Sequence, residues 1–261
     1  MCGLMFAEKV EGEMNVYDVN SFYTNLLSNQ KKSYPMGKPT FETIQTLGDF
    51  EVFGVYRARI TNVDRRLFQI NRNDYYIHEE ITRARALGAT VELIQDGEAN
   101  LMKYPKGRAS GHYLFKPYVD KLFQHKNTLN RVTGKPNPLV KQMLNVLWGA
   151  LCERTKIYLR DEDGLQFTDD DDINIKTDYN QEDFFQVVKE FKRPHARIGC
   201  FLTGYGRVHI SKLIEPIVED VYRIHTDGFY TTAELPTSNE LKLEKEGRFD
   251  IRGLNDIIVL A

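Results

Sequence analysis

The chain has 261 residues, 41% of them apolar, with 15 Phe, 14 Tyr and a formal net charge of −2. That length suits one large domain or two small ones around a buried core. No run of about 18 apolar residues occurs, so no membrane-spanning helix is expected. Met1-Cys2-Gly3-Leu4-Met5-Phe6-Ala7-Glu8-Lys9 is too short and too soon charged for a signal peptide. Cys2, Cys152 and Cys200 lack metal-ligand spacing and read as incidental or structural thiols of a reducing, intracellular compartment.

Near-zero net charge hides an asymmetry. Residues 103–160 carry twelve Lys or Arg against only Asp120 and Glu153, whereas residues 161–190 carry eleven acids against Lys176 and Lys189. A basic segment with interleaved Tyr, Phe and His suits contact with phosphates and bases. A solvated basic face accounts for the same charges, so charge alone decides little.

In chain order, residues 14–17 predict an apolar strand entering Asp18, followed by a tight turn and a helix beginning in 21–27. Residues 33–39, with Pro35, Gly37 and Pro39, are expected to break regular structure. Strands are predicted over 50–60, 67–70 and 90–96, with a helix over 78–87 closed by Gly88. Residues 103–111, basic and broken by Pro105, Gly107 and Gly111, read as a surface loop. Residues 113–128 and 137–156 predict two helices joined by a short basic turn, a hairpin able to project from a sheet. The run Asp169-Asp170-Asp171-Asp172 marks an insertion loop. A long amphipathic helix shaped by Gly204, Gly206 and Pro216 is predicted over 197–222. A strand pair over 222–232 then turns near Thr226-Asp227-Gly228, with Gly228 suited to a positive φ.

Three widely spaced words carry the chemistry. They are Asp18-Val19-Asn20-Ser21-Phe22-Tyr23, then Lys141-Gln142-Met143-Leu144-Asn145-Val146-Leu147-Trp148-Gly149, then His225-Thr226-Asp227-Gly228. Read singly, Asp18 is a helix N-cap, Asp227 a turn residue and Trp148 a core aromatic. Read jointly, two carboxylates from separate strands faced by a lysine on a helix form a layout that holds divalent metals against a triphosphate.

In that order the words resemble the three polymerase motifs of family B DNA polymerases, and most closely those of the protein-primed branch of phages, linear plasmids, large DNA viruses and self-synthesising transposons. The resemblance runs from Asp18 to about Asn255. It implies an α+β fold: a polymerase palm with an antiparallel sheet backed by helices, plus a helical fingers hairpin. The implied division is a first palm segment with an insertion (1–112), fingers (113–156), an acidic insertion (157–196) and a second palm segment (197–261). Asp18 and Asp227 become the catalytic metal ligands, joined by the backbone carbonyl of Val19, with Mg²⁺ as the ion and Mn²⁺ as the alternative. The amides of Ser21 and Phe22 and the amines of Lys141 and Lys126 are given to the triphosphate, with Val119-Asp120-Lys121-Leu122-Phe123-Gln124-His125-Lys126 favouring Lys126 over Arg131. Tyr23 becomes the gate that excludes a ribose 2′-hydroxyl, while Asn145, Trp148 and Gly149 line the pocket of the nascent base pair. Arg207 lies on a helix that braces the palm. The implied partners are primer–template DNA and a deoxynucleotide, with a terminal protein as primer or another chain supplying thumb and exonuclease. The gene is expected to be virus-encoded, acting in the cytoplasm, nucleus or mitochondrion of a host.

Some positions depart from the family pattern. Thr24 stands where proline is common, Val146 where serine is common, Trp148 where tyrosine is common, and His225 replaces the first acid of the third motif. His225 is a candidate tuner of metal choice or pH response. Only 17 residues precede Asp18 and the chain stops at Ala261, so a palm-and-fingers segment is expected: truncated, one piece of a split gene, or a degenerate relative. Two functions stay open, a template-directed DNA polymerase core and a non-catalytic nucleic-acid-binding or assembly module that keeps the palm. An RNA-templated enzyme fits less well, for want of paired aspartates in the third motif.

Overall fold

The computed structural model describes residues 3–127, 138–153, 159–161, 164–166, 191 and 195–260. Strand β1 is Leu4–Ala7 and β2 is Val10–Val19. Along β2, Tyr17 and Val19 are buried on one face, while Met14, Val16 and Asp18 take the other, as the two-residue period of a pleated strand requires. The chain continues through α1 (Phe22–Leu27), β3 (Ser33–Pro35), β4 (Thr40–Glu42), β5 (Gly54–Thr61), β6 (Tyr75–Ile77) and α2 (His78–Ala86). Next come β7 (Thr90–Leu93), β8 (Leu101–Lys103), β9 (Arg108–Ser110), α3 (Gly111–Asn127) and α4 (Pro138–Leu151). A short hairpin, β10 (Leu159–Asp161) and β11 (Gly164–Gln166), precedes α5 (Ala196–Ile214). The chain then runs through β12 (Val221–Thr226), β13 (Gly228–Thr231), β14 (Leu241–Ile251) and β15 (Ile257–Leu260).

Six strands form one antiparallel sheet in the order β1–β12–β13–β2–β14–β15. Helix α5 lies against it, with α1 and α2 packed on α5. The main core gathers Leu4, Tyr17 and Val19 of the sheet with Phe22, Phe201, Leu202 and Tyr205 of the helices. The expected α+β fold, an antiparallel sheet backed by helices, is therefore what forms. A second sheet, β4–β8–β5–β6 with β7 also on β5, carries its own core around Tyr56, Phe68, Tyr76 and Ile81. The two units are joined through α2 and α5. Arg207 Nε donates to Glu80 Oε1 at 2.7 Å with both side chains 3% exposed, and Arg83 Nε donates to Ser211 Oγ at 2.8 Å. Glu80 also caps α2 by accepting from the Ile77 amide at 2.9 Å. The Arg207 brace expected from sequence is thus seen as a buried ion pair that ties α5 to α2.

Helices α3 and α4 pack on each other through Leu122, Phe123, Val140 and Leu144. Thr24 of α1, 5% exposed, donates its hydroxyl proton to the Leu144 carbonyl at 3.4 Å and ties α4 to the core. The position that departs from proline in the family pattern thus serves as an anchor.

Several expectations need correction. Residues 33–35 and 108–110, read as breaks, pair as a ribbon between β3 and β9. Its turns cross where Gly107 takes φ 70° and its backbone touches Gly37. Residues 67–70 form no strand: the Leu67 and Phe68 amides both donate to the Asp64 carbonyl in a turn, and both side chains are buried, which mimics alternation. The strand predicted from residue 50 starts at Gly54. The helix predicted to residue 222 ends at Ile214 and passes into a 3₁₀ turn, Glu215–Asp220, at Pro216, whose missing N–H cannot continue α geometry. Nor is α5 simply amphipathic, because the sheet on one side and helices on the other bury most of its length. Asp169 to Asp172 lie outside the described residues.

Candidate functional site

Register brings the first and third motifs together. Gly228 pairs directly with Asp18 across β13 and β2, and the Val19 amide donates to the Asp227 carbonyl at 2.9 Å. Two acids far apart in sequence are thereby brought to one end of the sheet, where both line one cleft. Thr226, next to Asp227, is in the left-handed region at φ 67°, and so is Ser21, three residues after Asp18, at φ 48°. Non-glycine residues hold that conformation at a cost, and such strain gathers at functional sites. Gly228 does not take the positive φ expected of it; Thr226 does. Glycine is needed at 228 for space, because a Cβ there would stand 3.2 Å from the Tyr17 carbonyl oxygen and 3.6 Å from Asp18 Oδ1.

The loop between β13 and β14 is stapled to β2. Asn15 Nδ2 donates to the Ala233 carbonyl, the Tyr17 hydroxyl accepts from the Leu235 amide, and Asn20 Nδ2 donates to the Asn239 carbonyl. Strand β14 then returns beside β2 with Lys242 opposite Asp18 and Leu243 opposite Tyr17. A β-bulge follows, since Lys245 already opposes Val16 and leaves Glu244 without a cross-strand partner. Bulges commonly redirect a side chain at the edge of a site.

The charges interact strongly. Burial first, then the negative charges of Asp227 and Glu244, push the Asp18 carboxyl up to about 6, against a pull down from Lys242 and Lys141. Burial also raises Asp227, helped by Glu244 and opposed by its own backbone hydrogen bond and by His225. Carboxyls that raise one another's affinity for protons also favour a bound cation.

Helix α4 supplies the opposite wall. Lys141, Asn145 and Trp148 face a cleft of about 380 Å³ whose other lining includes Asp18, Asp227 and Glu244. Lys141 and Asn145 are exposed. Trp148 is half-buried and packs on Tyr23 with ring centroids 5.4 Å apart, so it serves core and cleft at once. Ser21, Phe22 and Tyr23 also line the cleft, although the Phe22 side chain itself is 3% exposed and packed inward.

This arrangement, carboxylates on a sheet facing a lysine on a helix, accompanies a sequence match over residues 2–215 to the family model for type B DNA polymerases, organellar and viral. The chain belongs to this family. Solved structures agree at the level of fold. A ternary complex of phi29 DNA polymerase with primer-template DNA and incoming nucleotide substrates superposes with a TM-score of 0.67 at 16% identity, covering 98% of this chain and 48% of that one. A binary phi29 complex with primer-template DNA gives 0.67 at 18% identity, covering 99% and 48%. An orthorhombic crystal form of the same polymerase gives 0.63 at 16%, covering 99% and 51%. This type B polymerase chain therefore spans about half the length of the solved polymerase it matches. No curated protein matches it.

One expected site residue stands apart from the cleft, and another has its side chain outside the described residues. Gly149 is exposed on α4 with open space around it and is not among the lining residues. Lys126 lies in the last turn of α3, its side chain outside the described residues, as is Arg131. Sequence reasoning passes over Lys242 and Glu244. Their only signal is the outward-facing alternation Leu241-Lys242-Leu243-Glu244, and neither the pairing with β2 nor the bulge can be read from it.

Proposed function

We propose that this chain forms the palm and fingers of a DNA-directed DNA polymerase. It would add deoxynucleotides to a primer 3′-hydroxyl, with a new bond to the α-phosphorus and release of pyrophosphate. The observation that carries this reading is the backbone-joined pair Asp18 and Asp227 facing Lys141 across one cleft. The division into 1–112, 113–156, 157–196 and 197–261 belongs to the same proposal.

The donor set suits Mg²⁺, with Mn²⁺ as a substitute. Hard carboxylate oxygens of Asp18 and Asp227 and the Val19 carbonyl would hold it, with Glu244 adding negative charge. Among the described residues no three His, Cys, Asp or Glu side chains converge as a metal cage. Mg²⁺ usually takes one or two carboxylates and completes its shell with water and substrate phosphates. When bound, such ions neutralise triphosphate charge and acidify the attacking hydroxyl.

The chain's own groups do the rest. Lys141 meets the triphosphate as a point charge, with Lys126 assisting from α3. The first amides of α1, at Ser21 and Phe22, have no acceptor within the helix and are available to phosphate oxygens. Tyr23 packs against the sugar, leaving no room for a 2′-hydroxyl, and Asn145, Trp148 and Gly149 line the pocket of the nascent base pair. DNA primer–template and deoxynucleotides are the proposed substrates. A terminal protein supplying the priming hydroxyl, or a second chain supplying thumb and exonuclease, is the proposed partner. The proposed setting is intracellular replication of a viral or mobile-element genome by the protein-primed branch.

The test is extension of a short primer–template in Mg²⁺ and in Mn²⁺, native against Asp227→Asn. Template-directed addition that disappears in the variant supports the proposal. No addition with either ion, or addition that persists in Asp227→Asn, contradicts it and favours a nucleic-acid-binding palm.

A further inference from the structure

We propose that Gly206 of α5 sets the seat of the Tyr23 ring and thereby helps this chain select deoxyribose over ribose. The inference rests on the proposed placement of Tyr23 against the nucleotide sugar. Gly206 does not line the cleft, so it acts from behind the ring.

The contact is close. A Cβ at Gly206 would stand 3.1 Å from Phe22 Cε1, 3.2 Å from Tyr23 Cε1 and 3.4 Å from Phe22 Cζ. Both rings of α1 therefore rest on the bare backbone of α5. A methyl group there demands a shift of a few tenths of an ångström from something, and the packing decides from what.

Helix α5 is held on its other side. A Cβ at Gly204 would meet Ile77 Cγ1 at 2.6 Å and Glu80 Oε2 at 2.9 Å, so α2 and α5 are already in tight contact. The buried pair of Arg207 and Glu80, at 2.7 Å, and the Arg83–Ser211 hydrogen bond, at 2.8 Å, lock the two helices together. Backing α5 away would break these groups' pairing where water cannot replace it.

Of the two rings, Phe22 is the more deeply buried. It is 3% exposed and packs edge-on against the His209 ring at 5.6 Å. Tyr23 is half-buried, borders the cleft, and packs on Trp148 with ring centroids 5.4 Å apart. The displaced ring is therefore Tyr23, and it moves toward the cleft. That movement tightens the space for the sugar and penalises a ribose more than a deoxyribose.

Trp148 is the only tryptophan and adjoins the ring in question, so its fluorescence reports nucleotide binding without any turnover. The experiment titrates dATP and ATP, in Mg²⁺, into the native chain, Gly206→Ala, Tyr23→Ala and the double variant, with circular dichroism to verify folding. The proposal expects Gly206→Ala to raise the preference for dATP over ATP about 3- to 10-fold, and to do nothing once Tyr23 is alanine. If Tyr23→Ala lowers the native preference while Gly206→Ala leaves it unchanged, the inference about Gly206 is overturned and the reading of Tyr23 stands. If the native chain binds neither nucleotide, or Tyr23→Ala changes no preference, the underlying reading of the site fails and the inference with it. Should Gly206→Ala not fold, Phe22→Leu decides. It vacates space behind the ring and is expected to lower the preference; an unchanged preference overturns the proposal.

Discussion

The two walls of the cleft are built by different physics. Asp18, Asp227 and Glu244 stand on neighbouring strands whose register fixes them, with the Val19–Asp227 hydrogen bond as a direct tie. Lys141, Asn145 and Trp148 ride on α4, which is held by side chains: Val140 and Leu144 against α3, Leu147, Trp148 and Leu151 against the main core, and the Thr24 hydroxyl. The sheet wall is fixed by backbone register and electrostatically loaded; the helical wall is held by side-chain contacts, with only Val140 and Leu144 of α4 buried. Segments with few buried contacts can move at low free-energy cost. A site of this kind can keep its carboxylates fixed while the cationic wall shifts.

Four substitutions would break or sharpen that contrast, in falling order of effect. Asp18→Asn should lower nucleotide addition by roughly 10³-fold, measured in single-turnover extension, with little change in circular dichroism. Leu144→Ala, in the small core shared with Leu122 and Val140, should cost about 2–3 kcal/mol of packing. Limited proteolysis should then cut in or near α4 before the sheet. Lys141→Ala should raise KM for the deoxynucleotide about 10- to 100-fold, since a charged contact contributes about 1.5–3 kcal/mol. Its metal dependence should match that of the native chain. Thr24→Val removes the hydroxyl with little change in shape and should cost about 1 kcal/mol, visible as faster amide exchange in α4 and unchanged exchange in β2. Equal loosening of both walls by Leu144→Ala and Thr24→Val would erase the contrast.

The same contrast governs what the sequence could reveal. Local features were legible: the alternation around Tyr17, Asp18 and Val19, the helical spacing from Lys141 to Trp148, and the acid beside Gly228. The resemblance joined them in a site before any pairing was known. What stayed hidden depends on partners distant in sequence. Glu244 acquires its place only through the β14 bulge against β2. The β3–β9 ribbon needs two glycine turns that meet in space. Thr226, not Gly228, bears the positive φ, while Gly228 lies close against the Tyr17 carbonyl. Residues 67–70 look like a strand because burial on two sides imitates its period. In each case local chemistry is visible in the chain and tertiary packing supplies the rest.

The central claim is that Asp18 and Asp227 form a preformed carboxylate pair, only partly offset by Lys242 and Lys141, that awaits cation and triphosphate. Thermal unfolding of the native chain and Asp18→Asn, in EDTA and then in Mg²⁺ with dATP, tests it most directly. With its carboxyl raised from 3.8 to about 6 by burial and then by Asp227, Asp18 contributes stability below pH 3.8 that is lost as pH rises through 6. At pH 8 in EDTA, Asp18→Asn should therefore melt above the native chain. The difference should be on the order of 1 kcal/mol, about 2–4 °C, once solvent screening of a part-exposed carboxyl is allowed for, and it should close as pH falls toward 4. Mg²⁺ with dATP should reverse the order by stabilising the native chain and not the variant. A native chain that melts higher in EDTA at pH 8, or an equal response of both proteins to Mg²⁺ and dATP, would contradict the account.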